Sequence, residues 1–145
     1  TISMVIPRDV LDEYVDTILA PMFASPRFDD GEIVGEYTKV FLTPYENYGR
    51  GDGTPVTLRI GGSLVGGMIC QDDNFTRLSR MYGRLGVVLM AVPTYDWPTV
   101  RNPHFQNSRF RPLESGYGIV RAARDGVSAV VSAFWGKTAS QEAAA

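Results

Sequence analysis

Apolar positions along the chain fall into blocks of two periods, separated by clusters of Gly, Pro, Asn and Asp. Residues 1–6 read as a short strand, and Val10, Leu11, Tyr14, Val15, Ile18, Leu19 and Met22 then recur at the three-and-four spacing of an amphipathic helix, with Asp9 as its N-cap. Pro21, Pro26 and the run Asp29, Asp30, Gly31 close that helix. Residues 33–42 are β-prone, and 43–55 form a loop rich in Gly, Asp, Asn and Tyr. The runs 56–60 and 63–70 flank Gly61 and Gly62, which predicts a hairpin whose second strand ends on Cys70. Phe75, Leu78, Met81, Tyr82 and Leu85 return to helical spacing, with Arg77, Arg80 and Arg84 on the opposite face and Gly86 as the stop. Residues 87–92 have the continuous apolarity of a strand buried on both faces. A helix interrupted by Pro112 is expected over 105–115, and strands over 119–123 and 127–133 around the turn Arg124, Asp125, Gly126. Consecutive strand-to-helix units predict an α/β sheet.

Composition narrows the class. The 145 residues, 44% of them hydrophobic, suit one domain that buries roughly two thirds of its unfolded surface. A net charge of -2 with no Lys/Arg cluster argues against nucleic acid as a partner. The apolar run 86–92 is far short of the roughly 20 residues that cross a bilayer, and no basic leader opens the sequence. The chain is therefore expected to be soluble and to be a piece of something longer. One cysteine excludes an internal disulfide, and the end, 137–145, is expected to fray.

That cysteine is the first candidate for chemistry. A free cysteine is ordinarily a small buried hydrophobe, so a nucleophilic Cys70 needs a base and a group to hold the oxyanion that develops. Taken alone, Lys39 reads as a solvated strand lysine and Glu46 as a loop charge. His104, the only histidine, offers a Cys–His pairing as a rival chemistry. Met68 and Asp72 stand where the tightest nucleophile elbows require glycine. Arg109, Arg111 and Glu114 read as a structural ion-pair cluster.

Four stretches in order resemble the carbon–nitrogen hydrolase (nitrilase) superfamily, and within it the nitrilase-like domain of apolipoprotein N-acyltransferases, over about residues 33–136. Tyr37-Thr-Lys39 running into Leu42-Thr-Pro44-Tyr45-Glu46 is similar to the family's lysine segment. Met68-Ile-Cys70-Gln71-Asp72 is similar to its nucleophile segment, usually Ile-Cys-Tyr-Glu. Leu89 to Trp97 resembles the strand that ends in Asn-Asp-x-Trp. Arg109 to Ser128 resembles the segment that carries Arg-Ala-x-Glu, a strand and a Thr-Gly-x-Ser turn. The sequence departs from the family in having no Pro-Glu pair to supply the usual general base, Asn47 where a second glutamate is expected, and Gln71 and Asp72 after the cysteine.

The resemblance implies an α/β fold of the nitrilase-like α-β-β-α sandwich type, partial or divergent. It implies one domain over 1–136, truncated at its N-terminus. It implies a thioester mechanism with Cys70 as nucleophile, Lys39 on the oxyanion, Glu46 orienting Lys39 or shuttling a proton, and Trp97, Tyr45, Tyr48 and Gln71 beside the substrate. The substrates implied are a phospholipid, ester or amide acyl donor and an amine or water acceptor, with no cofactor and no metal. A soluble hydrolase of this family would be cytoplasmic, whereas a true N-acyltransferase would be membrane-associated and extracytoplasmic. The absent base also admits an inactive binding or assembly module, and the uncovered apolar half of the site a homo-oligomer.

Overall fold

The computed structural model describes residues 27–29, 32–47, 49–60, 62–133 and 138–142, with side chains placed within 36–133. The strand expected at 1–6, the helix begun by Asp9, and Tyr48 lie outside the described residues. β1 (Arg27–Asp29) and β2 (Glu32–Gly35) pair antiparallel as a two-stranded sheet. Six strands build the main sheet in sequence order: β3 (Thr57–Ile60), β4 (Ser63–Gly67), β5 (Leu89–Tyr95), β6 (Gly118–Arg124), β7 (Val127–Val131) and β8 (Thr138–Glu142). β4, β5 and β6 run parallel, and the outer pairings are antiparallel. Parallel neighbours need crossovers, which α1 (Thr76–Arg84) and α2 (Arg101–Ser115) supply.

This is an α/β fold, and the two expected strand-helix-strand units are both present. The 57–67 hairpin forms around Gly62, whose φ of 83° is open to glycine without strain. The tail expected to fray instead supplies β8, five residues in register with β7. The antiparallel edge of β7 gave that segment a ladder to complete, a long-range cause that local composition does not carry.

Alternation along the central strands separates two cores. Met90, Val92, Ile119, Ala129 and Val131 meet Leu78 and Tyr82 of α1, while Val65, Ala91, Val120 and Ala122 gather on the opposite face. Gly66 permits the first layer, because a Cβ there would stand 2.7 Å from the Tyr82 ring. Tyr82 packs against the glycine and donates its hydroxyl to the Gly67 carbonyl at 2.6 Å. Among the described residues, no helix is long and apolar enough to cross a membrane.

Candidate active site

β4 ends at Gly67, three residues before the cysteine. Met68 still donates to Ala91 O at 3.1 Å, and the chain then breaks from the sheet. Cys70 is therefore not the last residue of its strand, as the apolar run suggested, but the first of a 3₁₀ turn, Cys70–Asn74. Its φ of 48° is left-handed, a conformation that costs a non-glycine residue about 1 kcal/mol and persists only where surroundings enforce it.

Two adjacent carboxylates of the turn do the enforcing, in opposite directions. Asp72 is fully buried and accepts from Tyr37 Oη at 2.7 Å, Phe41 N at 2.7 Å, Val40 N at 3.2 Å and Ile69 N at 3.4 Å. It thereby fastens the segment on both sides of Lys39 to the turn that carries Cys70. Stacking of Phe41 on Phe75, centroids 3.5 Å apart, closes the same junction. Burial pushes the Asp72 carboxyl up and its donors draw it back. The same burial, with Asp72 alongside, raises the Tyr37 hydroxyl far above the usual tyrosine range.

Lys39, 4% exposed, donates to Glu46 Oε1 at 2.6 Å and Oε2 at 2.7 Å, and Thr43 N holds Oε2 at 2.7 Å. Glu46, one position before the family's expected glutamate, thus reaches the lysine, while Asn47 is exposed. The lysine charge is felt at the cysteine. Burial pushes the Cys70 thiol up, a hydrogen bond to Tyr95 O at 3.7 Å and the Lys39 ammonium pull it down, and Asp96 and Asp73 push it up again.

Asp73 faces the other way, into a buried charge cluster. It accepts from Ser108 Oγ at 2.6 Å, His104 Nε2 at 2.8 Å and Arg121 Nη1 at 3.1 Å. Asp96, just past β5, accepts from His104 Nδ1 at 2.6 Å and Arg121 Nη2 at 2.7 Å. Two carboxylates meet two cations, which balances a charge group that would otherwise be prohibitive to bury. The carboxylates raise His104 to about 9 against the lowering effect of its burial, so the ring is an imidazolium at neutral pH. With both nitrogens donating, it has no lone pair for a thiol proton, which argues against the Cys70–His104 pairing. The Cys70, Asp96 and His104 ligand atoms lie within 4.8 Å of one another, as a metal site would need. The 2.6 Å contact between His104 and Asp96 is, however, a proton-bridged distance, which competes with a metal for both atoms.

The thiol faces a cavity of about 300 Å³ at the carboxyl ends of β4 and β5. Thr43, Pro44, Gln71, Asn74 and Trp97 line it, with His104 in its floor. Gln71 and Trp97, expected beside a substrate, are both in the lining. Tyr45, expected beside the substrate, is 89% exposed and points away, because the turn at Pro44 turns Glu46 inward and its neighbour outward. Arg111 pairs with Glu114 at 2.6 Å, but Arg109 bonds Gln106 instead of joining them. Sequence reasoning gave no role to Asp72, Asp73, Asp96 or Arg121. An arginine amid the apolar residues of β6 was the available signal, since a charge there must be buried and paired.

No family model matches the sequence. Apolipoprotein N-acyltransferase of Borreliella burgdorferi is 26% identical over 92% of this chain and 26% of its own length. That of Sinorhizobium medicae is 30% identical over 72% of this chain and 25% of its own. The chain thus spans about a quarter of the length of these curated relatives. Among solved structures, an amidase from Nesterenkonia sp. superposes with a TM-score of 0.66 at 26% identity, covering 74% of this chain and 45% of that one. The amidase is described as a member of the nitrilase superfamily, and its variants take up acrylamide or an acetamide moiety covalently at an active-site cysteine. The chain is related to these carbon–nitrogen hydrolases and has their α/β fold in part.

Proposed function

We propose that Cys70 is the nucleophile of a cysteine-dependent acyl transfer or hydrolysis that passes through a thioester. Sγ attacks the carbonyl carbon of an ester or amide, the alcohol or amine leaves with a proton, and water or an amine then takes the acyl group from sulfur. The observation that carries this reading is the buried Lys39 ammonium, clamped by Glu46 and held by Asp72 against the turn of a thiol that opens on a cavity. An ammonium fixed before the reaction can hold the oxyanion, with the N–H of Gln71 as second donor. Trp97 and Gln71 would border the acyl group. The thiol proton needs an acceptor, and among the described residues Asp73, Asp96 and Glu46 are all engaged by cations.

Two donors come into question, the phospholipid that the resemblance to N-acyltransferases implies and a simple amide as in the amidase neighbours, for a chain of which this sequence would be one nitrilase-like domain. Incubating the protein with an activated short acyl ester, a primary amide and a diacyl phospholipid, and weighing the intact chain, separates them. A Cys70 adduct from the phospholipid supports the N-acyltransferase reading, one from the amide supports the amidase reading, and an adduct from none refutes both. Burial of Cys70 favours a second reading, in which the shell persists as a binding module with an inert thiol. Slow alkylation by iodoacetamide near neutral pH would support that second reading.

A further inference from the structure

The acyl-transfer reading uses Cys70, Lys39 and Glu46 and leaves His104 without a role, although it is buried at the floor of the cavity with both ring nitrogens bonded. Nε2 lies 3.2 Å from the carbonyl oxygen of Cys70, in addition to its bond to Asp73. That carbonyl belongs to the residue held at a φ of 48°. We infer that His104 is a positioning residue of the nucleophile turn, a strut whose Nε2–H on the Cys70 carbonyl keeps the cysteine in its left-handed conformation and its sulfur aimed at the cavity. The inference rests on the reading of Cys70 as nucleophile.

The strut is anchored from three sides. Asp96, past the end of β5, fixes the ring plane through Nδ1; Asp73, in the turn itself, shares Nε2; and Arg121 of β6 ties the two carboxylates together, Nη1 to Asp73 and Nη2 to Asp96. Ser108, one turn along α2, holds the second oxygen of Asp73. Arg121 Nη2 also stands 3.1 Å from Nδ1 and draws the ring's pKa down, and the Cys70 thiol lies within 4.8 Å of the ring; beyond these, α1 turns Arg77, Arg80 and Arg84 to solvent, β7 carries no ionisable side chain, and Lys39 faces Glu46. The strut needs its proton on Nε2: a lone pair there would face the Asp73 and Cys70 oxygens, whereas a lone pair on Nδ1 would face Asp96 and could accept from Arg121 Nη2 at 3.1 Å. With His104 at about 9, that condition holds through neutral pH.

Because His104 is the only histidine, one ¹⁵N-resolved imidazole spectrum of the full chain reports it without mutation. Both nitrogens should be protonated at pH 7, and the Gln71 amide and Cys70 carbonyl resonances should move with the ring as it titrates near pH 9. A ring with no proton on Nε2 at pH 7, or a turn indifferent to the loss of that proton, overturns the inference. The second arm is the acylation rate of Cys70 by p-nitrophenyl butyrate. In the wild type it should climb with pH as the thiol ionises and level off near pH 9; in His104→Gln it should be about 10²-fold slower and climb on without that break, since misplacing a reacting atom by about 1 Å has that cost. Equal rates and equal profiles overturn the inference. If the wild type is not acylated at all, the nucleophile reading fails and the spectra alone decide the strut; they decide it equally if the variant does not fold.

Discussion

The Lys39 ammonium lies between both carboxylate oxygens of Glu46, at 2.6 and 2.7 Å, in a site where the lysine side chain is 3% and the glutamate 24% exposed. A pair this enclosed fixes one end of the lysine and leaves its remaining hydrogen to aim elsewhere. Replacing Lys39 by Met should slow Cys70 acylation about 10²- to 10³-fold, as loss of one oxyanion donor does. Glu46→Gln should keep the donor but loosen it, and its loss should be about 10- to 100-fold. Acylation rates of both variants beside the wild type check the order; a Glu46→Gln effect larger than that of Lys39→Met would make Glu46, not the lysine, the reacting group.

Asp72 binds the lysine segment to the nucleophile turn through four donors. Asp72→Asn keeps the shape and loses the charge. Urea unfolding should show a loss of about 1–3 kcal/mol, with the Tyr37 hydroxyl and the three backbone amides left poorly satisfied. The same variant should lower Cys70 acylation, because Lys39 is no longer registered against the turn.

His104 makes stability depend on pH in a stated direction. Its folded-state value of about 9 lies above the ordinary histidine value of 6.5, so its contribution is complete below about pH 6.5 and is lost as pH rises through about 9. Urea midpoints across that window should fall in the wild type, and the fall should be absent in His104→Gln. A wild-type midpoint that rises between pH 6.5 and 9 would contradict the charge state given to the ring.

Gly126, in the turn between β6 and β7, lies against Asp96 so closely that an added Cβ would collide with the carboxylate. Gly126→Ala should therefore displace Asp96 from His104 and Arg121, although Gly126 itself does not line the cavity. Overpacking of this kind costs about 1–3 kcal/mol. A thermal scan with the His104 imidazole spectrum checks both halves, since the ring should lose its high pKa as the carboxylate moves.

Much of the architecture was legible because it rests on local pattern. The hairpin at 57–67, the helix after Cys70 and the strands around Gly126 follow from period and turn chemistry. α2 was legible only in part. Its buried stripe is His104, Ser108, Arg111 and Pro112, so the hydrophobic pattern did not show that it begins at Arg101. That Lys39 and Cys70 share one site was an expectation of the resemblance, and the approach of Glu46 to Lys39 depends on the turn at Thr43. The charge cluster was hidden for a different reason: Asp73, Asp96, His104 and Arg121 come from four elements, and nothing in the chain between them states that they converge.

The most direct test is the intact mass of the chain after exposure to excess p-nitrophenyl butyrate at neutral pH. The account predicts one butyryl group per chain, carried on Cys70, formed faster than on the same chain in denaturant, slowed about 10²-fold or more by Lys39→Met and absent in Cys70→Ala. No adduct, or one that forms no faster than on the unfolded chain and is indifferent to Lys39, would contradict it.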